Sequence, residues 1–252
     1  MISHVSLVIG SPCLFLVGFA TSFVGTLAGG GLIGMPVLLM IGVPIHQAIS
    51  AAKFSNTISS FSSFFILFRQ QSIRWKQLLL IIPISLGGGA TGGAIASLLS
   101  ERTMTIIAII LLMFALCLQA FKKQPEQAAS APALPKTLYP ILYGISVYDG
   151  MFGPGQATML MYAYLRIGMD YLSAIAFTRF QTFISCFGAL TSYLYNGHVN
   201  WHIAPFLAVG SFIGAQLSVR VAQKMNQKQL QFLLHTITFL LIVQLIFNMV
   251  YH

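Results

Sequence analysis

Apolar runs of about twenty residues recur along this chain, and the polar breaks between them are short. A helix rising 1.5 Å per residue needs about 20 apolar residues to cross a hydrocarbon core of about 30 Å. The runs therefore predict membrane spans rather than the layers of a soluble domain. Composition agrees, because 57% of the 252 residues are apolar and only 7% are Asp, Glu, Lys or Arg. Soluble domains carry about a quarter charged residues, so no water-exposed surface can be built from this chain. The net charge of +9 then bears on lipid and topology, not on nucleic acid. Cys13, Cys117 and Cys186 lie far apart in apolar runs without metal-ligand spacing. Met1-Ile2-Ser3-His4 lacks the basic start of a signal peptide, so the first run is expected to be retained.

The predicted class is an all-α polytopic membrane protein. Segments fall at about 5–28, 31–44, 47–68, 77–99 and 103–121, then at 138–152, 154–167, 171–195, 201–222 and 228–250. The stretches 31–44 and 154–167 are too short to cross a bilayer, and each follows a glycine break, Gly29-Gly30-Gly31 and Gly153-Pro154-Gly155. They read as half-helices or re-entrant segments. Residues 122–137, with Pro125, Pro132 and Pro135, form a flexible linker by composition. The expected organisation is a first transmembrane repeat at 1–121, this linker on the cytoplasmic side, and a second repeat at 138–252.

The two halves match when displaced by 126 residues. Gly42 then falls on Gly168, Lys53-Phe54 on Arg179-Phe180, Trp75 on Trp201 and Gly88 on Gly214. A displacement of 124 brings Ser22 onto Ser146 and the first glycine break onto the second. If each short segment returns to the side it came from, ten basic residues gather on one side and Arg102 stands alone on the other. The crowded side is cytoplasmic by the positive-inside rule, which leaves both termini periplasmic. Arg69, Arg74 and Lys76 become Tyr195, Asn200 and His202 in the matching loop, whereas Ala94 and Leu98 become Arg220 and Lys224. That exchange of charge is what two inverted-topology repeats of about five helical segments require. Trp75 and Trp201 read as interface anchors, and His46, His198 and His202 as interfacial.

Lys53 and Arg179 remain, each about six or seven residues into an apolar run at an equivalent repeat position, open either to a central site or to snorkelling toward an interface. An ionisable group inside a membrane costs several kcal/mol and persists where it meets protein, water or a charged ligand. Polar residues accompany both at helical spacing, Asn56 beside the first and Gln181 beside the second. The half-helix starts at Gly30, Gly31 and Gly155 would add free N–H groups and a positive dipole end. Together these are the expected ligands of a small anion. Asp149 is the one acid in an apolar run. It is open to pairing with Lys53 or Arg179, to proton uptake in coupling, or to bonding the broken backbone as a helix-end acid. Catalytic motifs and metal-ligand spacings are lacking, so neither an enzyme nor a cofactor or metal is expected.

Ala28-Gly29-Gly30-Gly31-Leu32, Ala51-Ala52-Lys53-Phe54, Tyr148-Asp149-Gly150-Met151-Phe152-Gly153-Pro154-Gly155 and Thr178-Arg179-Phe180 resemble the sulfite exporter TauE/SafE family, also called the 4-toluene sulfonate uptake permeases. The Tyr-Asp-Gly-x-Phe-Gly-Pro element looks like the YfcA-like subgroup. The resemblance implies a multi-pass permease of the bacterial inner membrane that moves sulfite or organosulfonates by alternating access. Two positions depart from the subgroup's pattern: Arg179 replaces a lysine and Ala52 an asparagine. The expected partners are an anionic solute and lipid, with a homodimer left open. A rival reading is a non-transporting membrane scaffold or assembly factor, which leaves the paired cations unexplained.

Overall fold

The computed structural model describes residues 11–28, 34–70, 75–108, 110–111 and 134–224. The first glycine break, most of the 103–121 segment, nearly all of the linker and the segment at 228–250 lie outside the described residues. The described chain is helical throughout, with no strand: α1 (Ser11–Ala28), α2 (Gly34–Met40), α3 (Ile45–Gln70), α4 (Trp75–Leu98), α5 (101–108), α6 (Tyr139–Met151), α7 (Gln156–Arg166), α8 (Tyr171–Tyr195) and α9 (Ala204–Lys224). Two of them, at Trp75–Leu98 and Ala204–Val221, are long and apolar enough to cross a bilayer by composition alone. α3 and α8 are as long, but carry serines, threonines and a cation on their buried sides.

Small and polar residues share the interior with apolar ones, and large apolar side chains also face outward. On α4 the buried face runs from Leu78 and Ile81 to Gly88, Gly89, Gly92 and Gly93, while Leu79, Leu80, Leu86 and Ile95 face outward. On α3, Ser50, Lys53, Ser55, Ser59, Ser60 and Ser63 are buried and Phe61 and Phe65 are exposed. Hydrocarbon tails solvate apolar side chains as well as protein does, so helix association there rests on close packing of small residues and on interhelical hydrogen bonds. Both occur. Ser55 meets Ser211 of α9 at 2.5 Å, and Ser211 donates to the Gly18 carbonyl of α1 at 3.0 Å. A Cβ on Gly89 would lie 2.0 Å from the Ser185 carbonyl oxygen, so only glycine lets α4 and α8 approach this closely.

α1 packs along α9 and α6 along α4, while α3 and α8 cross at the centre and each also packs on α9 and α4 respectively. Phe64 touches Phe180 and Phe61 touches Phe183, so residue numbers fall on α8 as they rise on α3. These two helices are antiparallel. α6 and α7 form a hairpin: Gln181 of α8 bonds the Leu142 carbonyl near the start of α6 and accepts from Tyr164 near the end of α7. The break at Phe152–Gly155 is its tip, with Gly153 at φ +104° and Gly155 at φ +84°.

Two apolar clusters mark the ends of the bundle. One gathers Leu67, Leu78, Leu138, Leu165 and Tyr171, and the exposed Arg69, Lys76, Lys136 and Arg166 flank it in sequence. The other gathers Val43, Ile45, Met104, Tyr193 and Ile203, with Arg102 nearby in sequence. Trp75 and Trp201 are 59% and 57% exposed, as interface anchors would be. His46 departs from the interfacial expectation. It is buried, bonds the Leu99 carbonyl at 3.0 Å and stacks on His198 with ring centroids 4.7 Å apart.

Glu101 accepts the Ile45 N–H at 3.0 Å and so caps the start of α3 from the far side of α4. A carboxylate at a helix N-terminus satisfies a free donor and complements the dipole. Glu101→Ala is expected to cost about 1 kcal/mol, read as a lowered thermal midpoint in detergent. An unchanged midpoint would show that water replaces the cap.

Candidate anion site

Lys53 sits eight residues into α3 and is 1% exposed; Asp149 sits near the end of α6 and is 2% exposed. The Lys53 Nζ donates to Asp149 Oδ1 at 2.8 Å and to the Asp149 backbone carbonyl. The last four carbonyls of a helix have no intrahelical partner, and the C-terminal end of the dipole attracts a cation. Lys53 answers both demands of α6, and Tyr193 adds a bond to the Gly150 carbonyl at 3.3 Å. The other carboxylate oxygen takes Ser185 Oγ–H and lies 3.4 Å from Cys186 Sγ. Asp149 is therefore fully engaged, and of its open sequence readings the Lys53 pair is the one present: its carboxylate meets only side chains, and it is Lys53, not the acid, that bonds the helix-end backbone.

Gly153 makes this approach possible. Its φ of +104° is rarely adopted by an L-residue, and a Cβ there would stand 2.7 Å from Lys53 Nζ. Backbone conformation requires glycine at the hairpin tip, and a Cβ there would also push on the Lys53 ammonium.

Arg179 is held differently. It lies on α8 at 6% exposure, its Nη1 is 3.5 Å from Ser60 Oγ, and its Nη2 has no partner. Ser60 is two turns along α3 from Lys53, about 10 Å at helical rise. The two cations thus lie at separate levels of one cavity, which both help to line. Among the described residues Arg179 is the one buried Lys or Arg side chain without an acid in ion-pair range.

The cavity holds about 50 Å³, several times the ~10–15 Å³ one water requires, which suits a small solute. Residues of α1, α2, α3, α8, α9 and the α6–α7 tip enclose it. Asn56, one of the expected ligands, lines it. The tip contributes Gly153, Pro154 and Gln156; Gly155, the N-cap of α7, lies outside the lining, and the Gln156 N–H bonds the Gly153 carbonyl at 3.0 Å. Gln181 lies outside the lining, its amide committed to Leu142 and Ser146. Gly30 and Gly31 lie outside the described residues. Sequence reasoning passed over Gln156, Ser22 and Ser211 as ligands; Gln156 follows the glycine break directly, and that position was the available signal. Ser22 Oγ, like Arg179 Nη2, is buried without a partner.

A family model described as "Sulfite exporter TauE/SafE" matches residues 14–245. A probable membrane transporter protein, ORF9, of a Sinorhizobium species is 28% identical over 240 residues, covering 92% of this chain and 91% of its own. A probable membrane transporter of Haemophilus influenzae is 24% identical over 243 residues, covering 93% and 94%. YfcA of Escherichia coli K12, also called a probable membrane transporter, is 24% identical over 222 residues, covering 85% and 81%. No solved structure matches. All three relatives are named as probable membrane transporters, which fits a non-enzyme reading. A helical bundle with a buried cation, one of its nitrogens unbonded, facing a small cavity agrees with this match: the chain belongs to the sulfite exporter TauE/SafE family of membrane proteins.

Proposed function

We propose that this protein is a permease for a small anion, a sulfur oxyanion such as sulfite or an organosulfonate, working by alternating access. One observation carries the reading: the Arg179 guanidinium is buried, faces the cavity and leaves Nη2 unbonded. A buried donor without a partner costs about 1–3 kcal/mol, more when charged, and an oxyanion in the cavity removes that cost through paired charge-assisted bonds. The start of α7 adds its dipole from the hairpin tip. Lys53 shapes the site from the opposite level. Asn56 and Gln156 supply neutral polar contacts.

Alternating access rests on the inverted repeat, which four packing facts support. The equivalent helices α3 and α8 run antiparallel. α1 lies on α9 as α6 lies on α4. Gly214 abuts the Phe19 carbonyl as Gly88 abuts that of Tyr143. Ser218 bonds the Phe23 carbonyl where Gly92 abuts that of Val147. The basic residues beside one apolar cluster and the lone Arg102 beside the other favour a cytoplasmic linker and periplasmic termini in a bacterial inner membrane. The test is uptake of labelled sulfite and methanesulfonate into proteoliposomes carrying the purified protein. Saturable uptake above empty vesicles is expected; none for either anion would overturn the reading.

A further inference from the structure

We propose that Asp149 sets the valence of the solute: by neutralising Lys53 it leaves Arg179 as the single open cation, so the cavity takes a monoanion in preference to a dianion. The inference rests on the permease reading above and adds to it which charge state the site accepts.

Counting charge along the cavity gives the result. Lys53 and Arg179 contribute +2 and Asp149 contributes −1, and no other charged side chain among the described residues lines the space. The remaining charge of +1 is localised. Lys53 Nζ spends two donors on Asp149, one on the carboxylate and one on the α6 carbonyl. Asp149 Oδ2 is occupied by Ser185 and faces Cys186. A solute oxygen seeking Lys53 would have to displace a carboxylate already paired inside protein, where charges interact far more strongly than in water. Arg179 offers Nη2 with nothing to displace. A monoanion neutralises that charge, whereas a dianion leaves a net negative charge in a space enclosed by Met35, Leu38, Phe152 and Leu207. Asp149 is thus a positioning residue for Lys53 and a selector of solute charge.

The experiment compares uptake of methanesulfonate and sulfate, a fixed monoanion and a fixed dianion near neutral pH, in proteoliposomes. The wild type is expected to favour methanesulfonate by about tenfold or more. Asp149→Asn leaves Lys53 unneutralised, and the methanesulfonate-to-sulfate ratio should fall at least about tenfold. The double variant Lys53→Met with Asp149→Asn restores the charge count, and its ratio should return toward that of the wild type whatever its rate. A merely structural role for the pair predicts no such return. An unchanged ratio in Asp149→Asn, or a double variant with the Asp149→Asn ratio, would overturn the inference. Should Asp149→Asn fail to fold, Lys53→Met alone decides: its unpaired Asp149 should abolish anion-induced thermal stabilisation by both probes, and retained stabilisation would overturn the inference. A wild type that carries both anions equally refutes the valence rule and leaves the permease reading standing. A wild type that carries neither refutes the permease reading.

Discussion

Arg179→Ala is expected to abolish anion uptake in proteoliposomes while leaving the empty protein as stable as before, or more stable. The two halves of that result have one cause. A guanidinium buried at 6% exposure with Nη2 unbonded burdens the solute-free protein, because a desolvated charge without a counter-ion is unfavourable inside a bundle. Alanine removes the burden together with the ligand contact. Charge-assisted hydrogen bonds contribute about 1.5–3 kcal/mol each, so losing a forked pair should weaken apparent affinity about 100-fold or more. Arg179→Lys keeps the charge and loses the fork, and should retain part of the uptake. The diagnostic measurement is a thermal midpoint with and without methanesulfonate: the wild type rises with anion, Arg179→Ala does not, and its solute-free midpoint equals or exceeds the wild type's. A midpoint that collapses without solute would mean that Arg179 holds the bundle together and that another group takes the anion.

How much of this was legible in the sequence follows from which interactions are local. Span positions depend on apolar length, a property of a contiguous segment, and α3, α4, α6, α7, α8 and α9 fall within a few residues of the runs that predict them. That Lys53 and Arg179 stand out as a pair was legible from their spacing and their apolar surroundings, and both line one cavity. Partnership was not. Which cation Asp149 meets depends on the α6–α7 hairpin folding back at Gly153, whose positive φ and missing Cβ bring Lys53 against the α6 terminus. Gln181 illustrates the same limit. It sits two residues from Arg179 on α8, but Leu142 and Tyr164, from opposite legs of the hairpin, claim its amide. Spacing along one helix cannot anticipate a hydrogen bond supplied by two others. Ser22 and Ser211 enter the cavity wall for the same reason, carried there by the packing of α1 on α9.

Gly92→Val should prevent recovery of folded protein, whereas Gly144→Ala, only a few residues from that contact on α6, should be tolerated. A Cβ at position 92 would stand 2.1 Å from the Val147 carbonyl oxygen and 2.8 Å from the Met151 N. Both are backbone atoms of a helix and cannot swing aside as a side chain would. α4 and α6 would have to part by more than an ångström, and the interhelical contacts that association in lipid relies on would go with them. Overpacking typically costs 1–3 kcal/mol, and a clash with fixed backbone on both sides places this one at about 3 kcal/mol or beyond. The separation would also reach the site, because Asp149 lies between those two contact residues and holds Lys53. Gly144 is the control: a Cβ there meets nothing within 4 Å, and alanine in a helix interior is favoured over glycine by about 0.5–1 kcal/mol. Size-exclusion profiles and thermal midpoints in detergent measure both. A monodisperse Gly92→Val protein with the wild-type midpoint would show that α4 and α6 are not in backbone contact, and with that the placement of the hairpin tip against Lys53 would fail.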